Sequence, residues 1–198
     1  MSLDVLFINP GNAKKIYQDL AEDYSAIETP TWSLLLAQSC RSVGYDVAIL
    51  DANAERLSNA DVVERIKNLN PRLICFVVYG QNPNSGTVNM SGTCAAASEI
   101  KKAGIKTPIS IVGSHVQSLP YETLTNEKDI DIIFANEGVY ALRNLLEKEN
   151  LHDVAQLSTV RGIGFRRHGE AFLTPPERVV SQDRMDIDLP GYAWDLLP

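Results

Sequence analysis

Five short apolar runs rich in β-branched residues, alternating with stretches of helical spacing, leave this chain very few ways to fold. The runs are "DVLFINP" from Asp4, "DVAILD" from Asp46, "LICFVVY" from Leu73, "ISIVGS" from Ile109 and "DIIFAN" from Asp131. The last four are nearly continuous in hydrophobicity, as parallel strands covered on both faces must be. Helical patterns separate them. "TWSLLLAQSCRSVG" closes at Gly44, a C′ residue. "SNADVVERIKNLN" opens on the capping residues Ser58 and Asn59 and puts Val62, Val63, Ile66 and Leu69 on one face. "GTCAAASEIKKAG" is rich in helix formers and ends at Gly104, and "LPYETLTNE" begins with Pro120. "GVYALRNLLEKEN" carries the stripe Val139, Leu142, Leu145 and Leu146. This rhythm predicts an α/β fold over residues 4–150, an open, doubly wound, five-stranded parallel sheet of flavodoxin-like or Rossmann-like type in the order 2-1-3-4-5.

After Asn150 the pattern changes. "RGIGFRR" and "EAFLTPPERVV", joined by "HG", predict a β-hairpin. "SQDRMDIDLPGYAWDLLP" has no periodicity and reads as a linker, so residues 151–198 are expected to lead into a further domain beyond Pro198. Tyr192, Trp194 and Leu196 are expected to expose apolar surface there.

Composition narrows the function. The net charge is −7 and no basic stripe exists to neutralise phosphates, which argues against a nucleic-acid partner. No apolar run approaches the eighteen or so residues of a membrane span, and no signal-peptide pattern opens the chain. Cys40, Cys75 and Cys94 form neither a CxxC nor a disulfide framework, which points to a reducing, cytoplasmic setting. All three read as small core residues.

In such a sheet ligands bind beyond the carboxyl ends of the strands. The first loop, "NPGNAKKIYQDLAEDYSAIETPT", is far longer than an ordinary βα connection, and Tyr17, Tyr24 and Trp32 lie in or beside it. "DANAERLSN" follows the second strand, and the polar "YGQNPNSGTVNMSG" follows the third. Gly113-Ser114-His115 and Asn136-Glu137-Gly138 follow the fourth and fifth. Long, glycine-marked loops at one edge suit a broad ligand. A dinucleotide site would need GxGxxG, but the first loop has only Gly11, and no GKS or GKT forms a P-loop. A phosphoacceptor receiver would need an Asp after the third strand, where Tyr79 and Gly80 stand. His115, His152 and His168 lack partners at zinc-ligand spacing. Asp51 suits a cap or turn better than a ribose hydroxyl. His115 either caps the strand-four loop or touches a ligand.

Taken together, the segments "FINP", "WSLLLAQSCRSVGYDVAILD", "NPRLICFVVYGQN", "VGSHVQSLPYETL", "ANEGVYAL" and "LPGYAWDLLP" occur in an order that resembles one family. It is the N-terminal cobalamin-binding domain of cobalamin-dependent radical SAM enzymes, whose pattern reads "INP", "LLYLA", "GHEVELLD", "NPDLVGFSVY", "GGPHPSxLPEETL", "xGEGE" and "LPxPAWDLLP". The resemblance runs through nearly all 198 residues. It implies cobalamin held base-off at the carboxyl edge of the sheet, on Asn9, Pro10, Gly11, Tyr79, Gly80, Gln81, Asn82, Gly113, Ser114, His115, Glu137 and Gly138.

It also implies that Gly113 and Ser114 leave room for the nucleotide tail, with His115 beside it. On that view Gly113→Leu should block the tail while the domain still folds. The family's CxxxCxxC, which holds a [4Fe–4S] cluster, is absent, so the cluster and S-adenosylmethionine would belong to a downstream radical SAM domain, as in a methyltransferase. The DxHxxG of other cobalamin modules, whose histidine ligates cobalt, is replaced by "NPGNAKK". The lower axial position is thus left to water or to a residue such as Asn12 or Tyr17. The alternative is a flavodoxin-like interaction or substrate-gating module without cobalamin.

Overall fold

The computed structural model of the chain describes residues 3–11, 27–79 and 83–198. Strands β1 (Val5–Asn9), β2 (Val47–Asp51), β3 (Leu73–Val78), β4 (Ile109–Gly113) and β5 (Ile132–Phe134) are mutually parallel. They lie in the order β2-β1-β3-β4-β5. Alternate residues of each strand feed opposite faces, so two cores form. Phe7, Cys75, Val77, Val112 and Phe134 pack under helices α1 (Thr31–Arg41) and, further on, α6 (Val139–Leu146). Leu6, Ile8, Ile74, Phe76 and Ile111 pack under α2 (Asn59–Leu69) and α3 (Pro83–Lys102). Two short helices cover the same face, α4 (Ser114–Ser118) through Val116 and α5 (Pro120–Asn126) through Leu124.

Local chemistry explains the helix ends. In α2, Ser58 and Asp61 form a capping box, with Asp61 N donating to Ser58 Oγ (3.2 Å) and Ser58 N to Asp61 Oδ2 (2.9 Å). Its buried stripe is narrower than the spacing predicts: Val62 and Ile66 are buried, but Leu69 is exposed. Helix α3 absorbs most of the stretch read as a polar loop. Met90 and Thr93 turn into the sheet, Thr93 returning its hydroxyl to Asn89 O at 3.1 Å.

The hairpin, β6 (Ile163–Arg167) and β7 (Glu170–Leu173), is no appendage. After α7 (Val154–Leu157), β6 pairs antiparallel with β5, Phe134 opposite Ile163, and extends the sheet to seven strands. A three-residue β5 would otherwise be an open edge. His168 (φ 55°) and Gly169 (φ 85°) are both left-handed, as a two-residue type I′ turn demands.

The presumed linker packs back on the domain. A 3-10 turn at Gln182–Arg184, helix α8 (Met185–Asp188) and a second turn at Trp194–Leu196 form a strap against α6 and α1. Asp188 is 5% exposed and accepts from Tyr140 Oη (2.6 Å), Arg143 Nη1 (2.9 Å) and Arg184 Nε (3.0 Å). Ala193 is fully buried and its N–H donates to Leu34 O. Arg41 grips Asp195 through two bonds, 2.7 and 2.9 Å. Polar anchors at aperiodic positions hold this segment, which hydrophobic spacing could not reveal. Tyr192 and Trp194 stay exposed, as expected, while Leu196 packs against the core instead.

Candidate functional site

The carboxyl ends of the parallel strands converge on a connected group of neutral side chains. Tyr79, directly after β3, receives a hydrogen bond from Gln117 Nε2 at 2.6 Å, and the same nitrogen donates to Asn136 O at 2.8 Å. Trp32, in the first turn of α1, meets the Tyr79 ring edge-on at 5.4 Å and donates Nε1 to Glu137 O at 3.1 Å. The edge is therefore tied together from β1's helix to the loop after β5.

That last loop is held from outside. Asn136 Oδ1 accepts from Gly138 N (3.0 Å), closing an Asx turn that puts Gly138 at φ 85°, the left-handed region glycine favours. Asn136 Nδ2 donates to Glu177 O (3.1 Å), and Glu137 Oε1 accepts from Val180 N (2.8 Å). Burial is the main cause that pushes the Tyr79 phenol up to about 12, with the Glu137 charge adding to it and the Gln117 bond opposing. Tyr79 is thus a neutral donor at ordinary pH.

At the other side, Asn9 Nδ2 donates to Asp51 Oδ1 at 2.8 Å, and Ala54 N to the same oxygen at 3.0 Å. Asp51 is buried and serves this turn. Pro10 is buried next to it, and a Cβ on Gly11 would stand 3.1 Å from Ala52 O, so residues 9–11 lie tight on the β2–α2 connection.

The room expected at Gly113 is already filled. A Cβ there would fall 2.2 Å from Val78 O and 2.8 Å from Val78 C, so the neighbouring strand by itself requires glycine at this position. Ser114 is half-buried with α3 close against it: a Cβ on Gly86 would fall 2.2 Å from its hydroxyl. The strand passes straight into α4, and His115 is a half-buried helical residue with Nδ1 3.2 Å from Thr87 Oγ1. Gly80, Gln81 and Asn82 lie outside the described residues, as do Asn12, Tyr17 and Tyr24.

The structure thus brings Tyr79, Glu137 and Gly138 into one network, holds Asn9, Pro10 and Gly11 as a separate packed corner, and turns Gly113 inward. Gln117 escaped the sequence reading, since nothing in "SHVQSLP" marks one polar helical residue as the bridge. Among the described residues no cluster of three His, Cys, Asp or Glu could hold a metal ion. Cys40 and Cys75 are core residues whose thiols burial pushes up, Cys75 to about 12. The edge offers neutral donors, acceptors and aromatic surface. It is built for binding.

Three comparisons bear on what it binds. A family model described as the B12 binding domain matches residues 18–146. The anaerobic magnesium-protoporphyrin IX monomethyl ester cyclase of Synechocystis sp. is 25% identical over 155 residues, 78% of this chain and 29% of that protein. An uncharacterized methyltransferase of Pyrococcus horikoshii is 25% identical over 154 residues, 78% of this chain and 31% of that one. The chain therefore spans about three-tenths of the length of these relatives. Among solved structures, the radical S-adenosylmethionine methyltransferase TsrM from Kitasatospora setae, with cobalamin and a [4Fe–4S] cluster bound, superposes with a TM-score of 0.63. It covers 92% of this chain and 30% of its own at 15% identity, a likeness of fold.

Proposed function

The chain belongs to the B12 binding domain family, and from that premise we propose that it is the cobalamin-binding module of a radical SAM enzyme, most simply a methyltransferase. The observation that carries this reading is the family match itself, which takes in α1 to α6 and the edge network of Trp32, Tyr79, Gln117 and Asn136. The donor set fits the cofactor. Cobalamin is large and rimmed with neutral amides, and this edge presents neutral hydrogen-bonding groups, while its carboxylates Asp51 and Glu137 already accept from Asn9, Ala54 and Val180.

When bound, cobalamin supplies a cobalt centre able to carry a methyl group. Tyr79, Gln117 and Trp32 would hold the cofactor's periphery, and residues 9–11 would border it. The [4Fe–4S] cluster and S-adenosylmethionine would be handled by a radical SAM domain, placed downstream in the same chain. That partner is supported by the relatives, which are more than three times as long as the stretch matched here. A cytoplasmic setting belongs to the same reading, and no helix among the described residues is long and apolar enough to cross a membrane.

Titration with hydroxocobalamin, followed by visible absorption and gel filtration, tests the proposal. The expected result is one equivalent retained with a shifted spectrum. A spectrum identical to free hydroxocobalamin and no retained cofactor would favour the interaction or gating module instead. Cobalt should be bound base-off and without a protein nitrogen, because "NPGNAKK" has no histidine where other cobalamin modules carry theirs. Electron paramagnetic resonance of the cob(II)alamin complex should show no triplet splitting from a coordinated nitrogen. A triplet would contradict this assignment.

A further inference from the structure

We infer that Tyr79 and Gln117 form a clamp for a single primary carboxamide, which on the reading above is one side-chain amide of the corrin ring. Asn136 O can only accept, so the Gln117 atom 2.8 Å away is the amide nitrogen. The other hydrogen of that nitrogen points to Tyr79 Oη at 2.6 Å. Tyr79 is therefore the acceptor of this bond, and its own proton is directed elsewhere. No described residue takes that proton, and no described donor reaches Gln117 Oε1.

Among the described residues, one donor and one acceptor thus stand unpaired near each other. The nitrogen and oxygen of an amide are about 2.2 Å apart, from its C=O and C–N bond lengths. Gln117 Oε1 must then lie within roughly 5 Å of Tyr79 Oη. A primary amide presents the complementary pair, a carbonyl for Tyr79 and an N–H for Gln117. A carboxylate matches only half of it, setting oxygen against Gln117 Oε1.

The clamp is rigid before any ligand arrives. The Tyr79 ring abuts Trp32, itself held by Glu137 O, and Gln117 sits next to the buried Val116. Preorganisation of this kind lowers the cost of binding. The burial that keeps the phenol protonated keeps the donor in place.

The test uses hydroxocobalamin and a panel of its monocarboxylates, each with one side-chain amide hydrolysed. Affinities come from visible difference spectra on wild type, Tyr79→Phe and Gln117→Leu, with thermal melts as the fold control. Wild type should bind one panel member at least about tenfold more weakly than hydroxocobalamin, because a group built to pair an N–H is left facing an oxygen. Tyr79→Phe should weaken hydroxocobalamin about five- to tenfold, the worth of one hydrogen bond. It should also flatten the discrimination across the panel, and Gln117→Leu should do likewise. A wild type that binds every member alike would overturn the clamp. So would variants that weaken binding yet keep the discrimination, or a folded Tyr79→Phe that binds as wild type does. In each of those cases the cobalamin reading survives. Wild type failing to bind hydroxocobalamin at all would remove that reading and the clamp with it.

Discussion

Replacing Gly113 by leucine will leave no stably folded domain, and even alanine will cost about 3 kcal/mol or more. A Cβ at this position would stand 2.2 Å from Val78 O and 2.8 Å from Val78 C. Val78 and Gly113 are register partners of β3 and β4, at the centre of the sheet. Neither backbone can withdraw without opening the ladder between them and both cores with it. At roughly 2–4 °C per kcal/mol for a chain of this size, Gly113→Ala should melt some 6–12 °C below wild type.

Gly86→Ala supplies the contrast. Its first obstacle, also at 2.2 Å, is the Ser114 hydroxyl, a short side chain that can rotate away, and the next atom is at 3.4 Å. Alanine also gains up to about 1 kcal/mol of helix propensity inside α3. The two should therefore offset to within about 1 kcal/mol of wild type. Urea unfolding of both variants checks the pair. A Gly113→Ala midpoint equal to wild type would show that the sheet gives way where the geometry says it cannot.

The second large effect is at Asp188. Its carboxylate lies between Tyr140, Arg143 and Arg184, and the Arg143 side chain is only 12% exposed. Asp188→Ala would leave that guanidinium buried against Ser39 O without its counter-charge. Breaking a buried pair from one side costs about 3–5 kcal/mol. Here the loss has an exit, because the strap can lift and let Arg143 hydrate. The expected outcome is a strap detached at residues 181–197, cut readily by protease, above a sheet that remains folded. A variant as resistant as wild type would show that Ala193 and Asp195 hold the strap alone.

The same carboxylate sets a pH dependence. Hydrogen bonds from Tyr140 first, and from Arg184 and Arg143, hold its pKa at about 2, below the ordinary 3.8. A depressed carboxylate stabilises the fold above its unfolded value and loses that contribution as pH falls through the folded one. Protease resistance of the strap should be full at pH 6 and decline from about pH 4 toward 2. Asp188→Asn should lack this decline.

The five parallel strands were legible because burial on both faces writes itself as continuous β-branched runs, and their order followed from the doubly wound fold type. His168-Gly169 announced the hairpin for an equally local reason. Its pairing with β5 was not legible, since edge complementarity between Phe134 and Ile163 leaves no local pattern. The start of α3 was hidden by Asn, Ser and Gly, which read as loop until Met90 and Thr93 are seen to pack on the sheet. The strap was hidden because its anchors are charges that meet Arg41 and Arg143 across the fold.

At the site, the edge itself could be inferred from topology, and Tyr79 with it. The bridge Gln117 makes between Tyr79 and Asn136 joins residues 38 and 19 positions apart, and sequence spacing carries no trace of it. Gly113 is ambiguous in sequence for the opposite reason. A small residue at a strand end is equally required by a ligand and by an adjacent backbone, and the coordinates show the backbone of Val78 at the Cβ position.

Hydrogen exchange of the wild-type chain, with and without saturating hydroxocobalamin, tests most directly whether the cofactor sits on the carboxyl edge. Protection should appear in peptides spanning 79–90, 113–118 and 135–139, and turns at the opposite edge, 44–46, 70–72 and 104–108, should exchange at unchanged rates. Unaltered exchange at the first set, or protection confined to the second, would contradict the assignment.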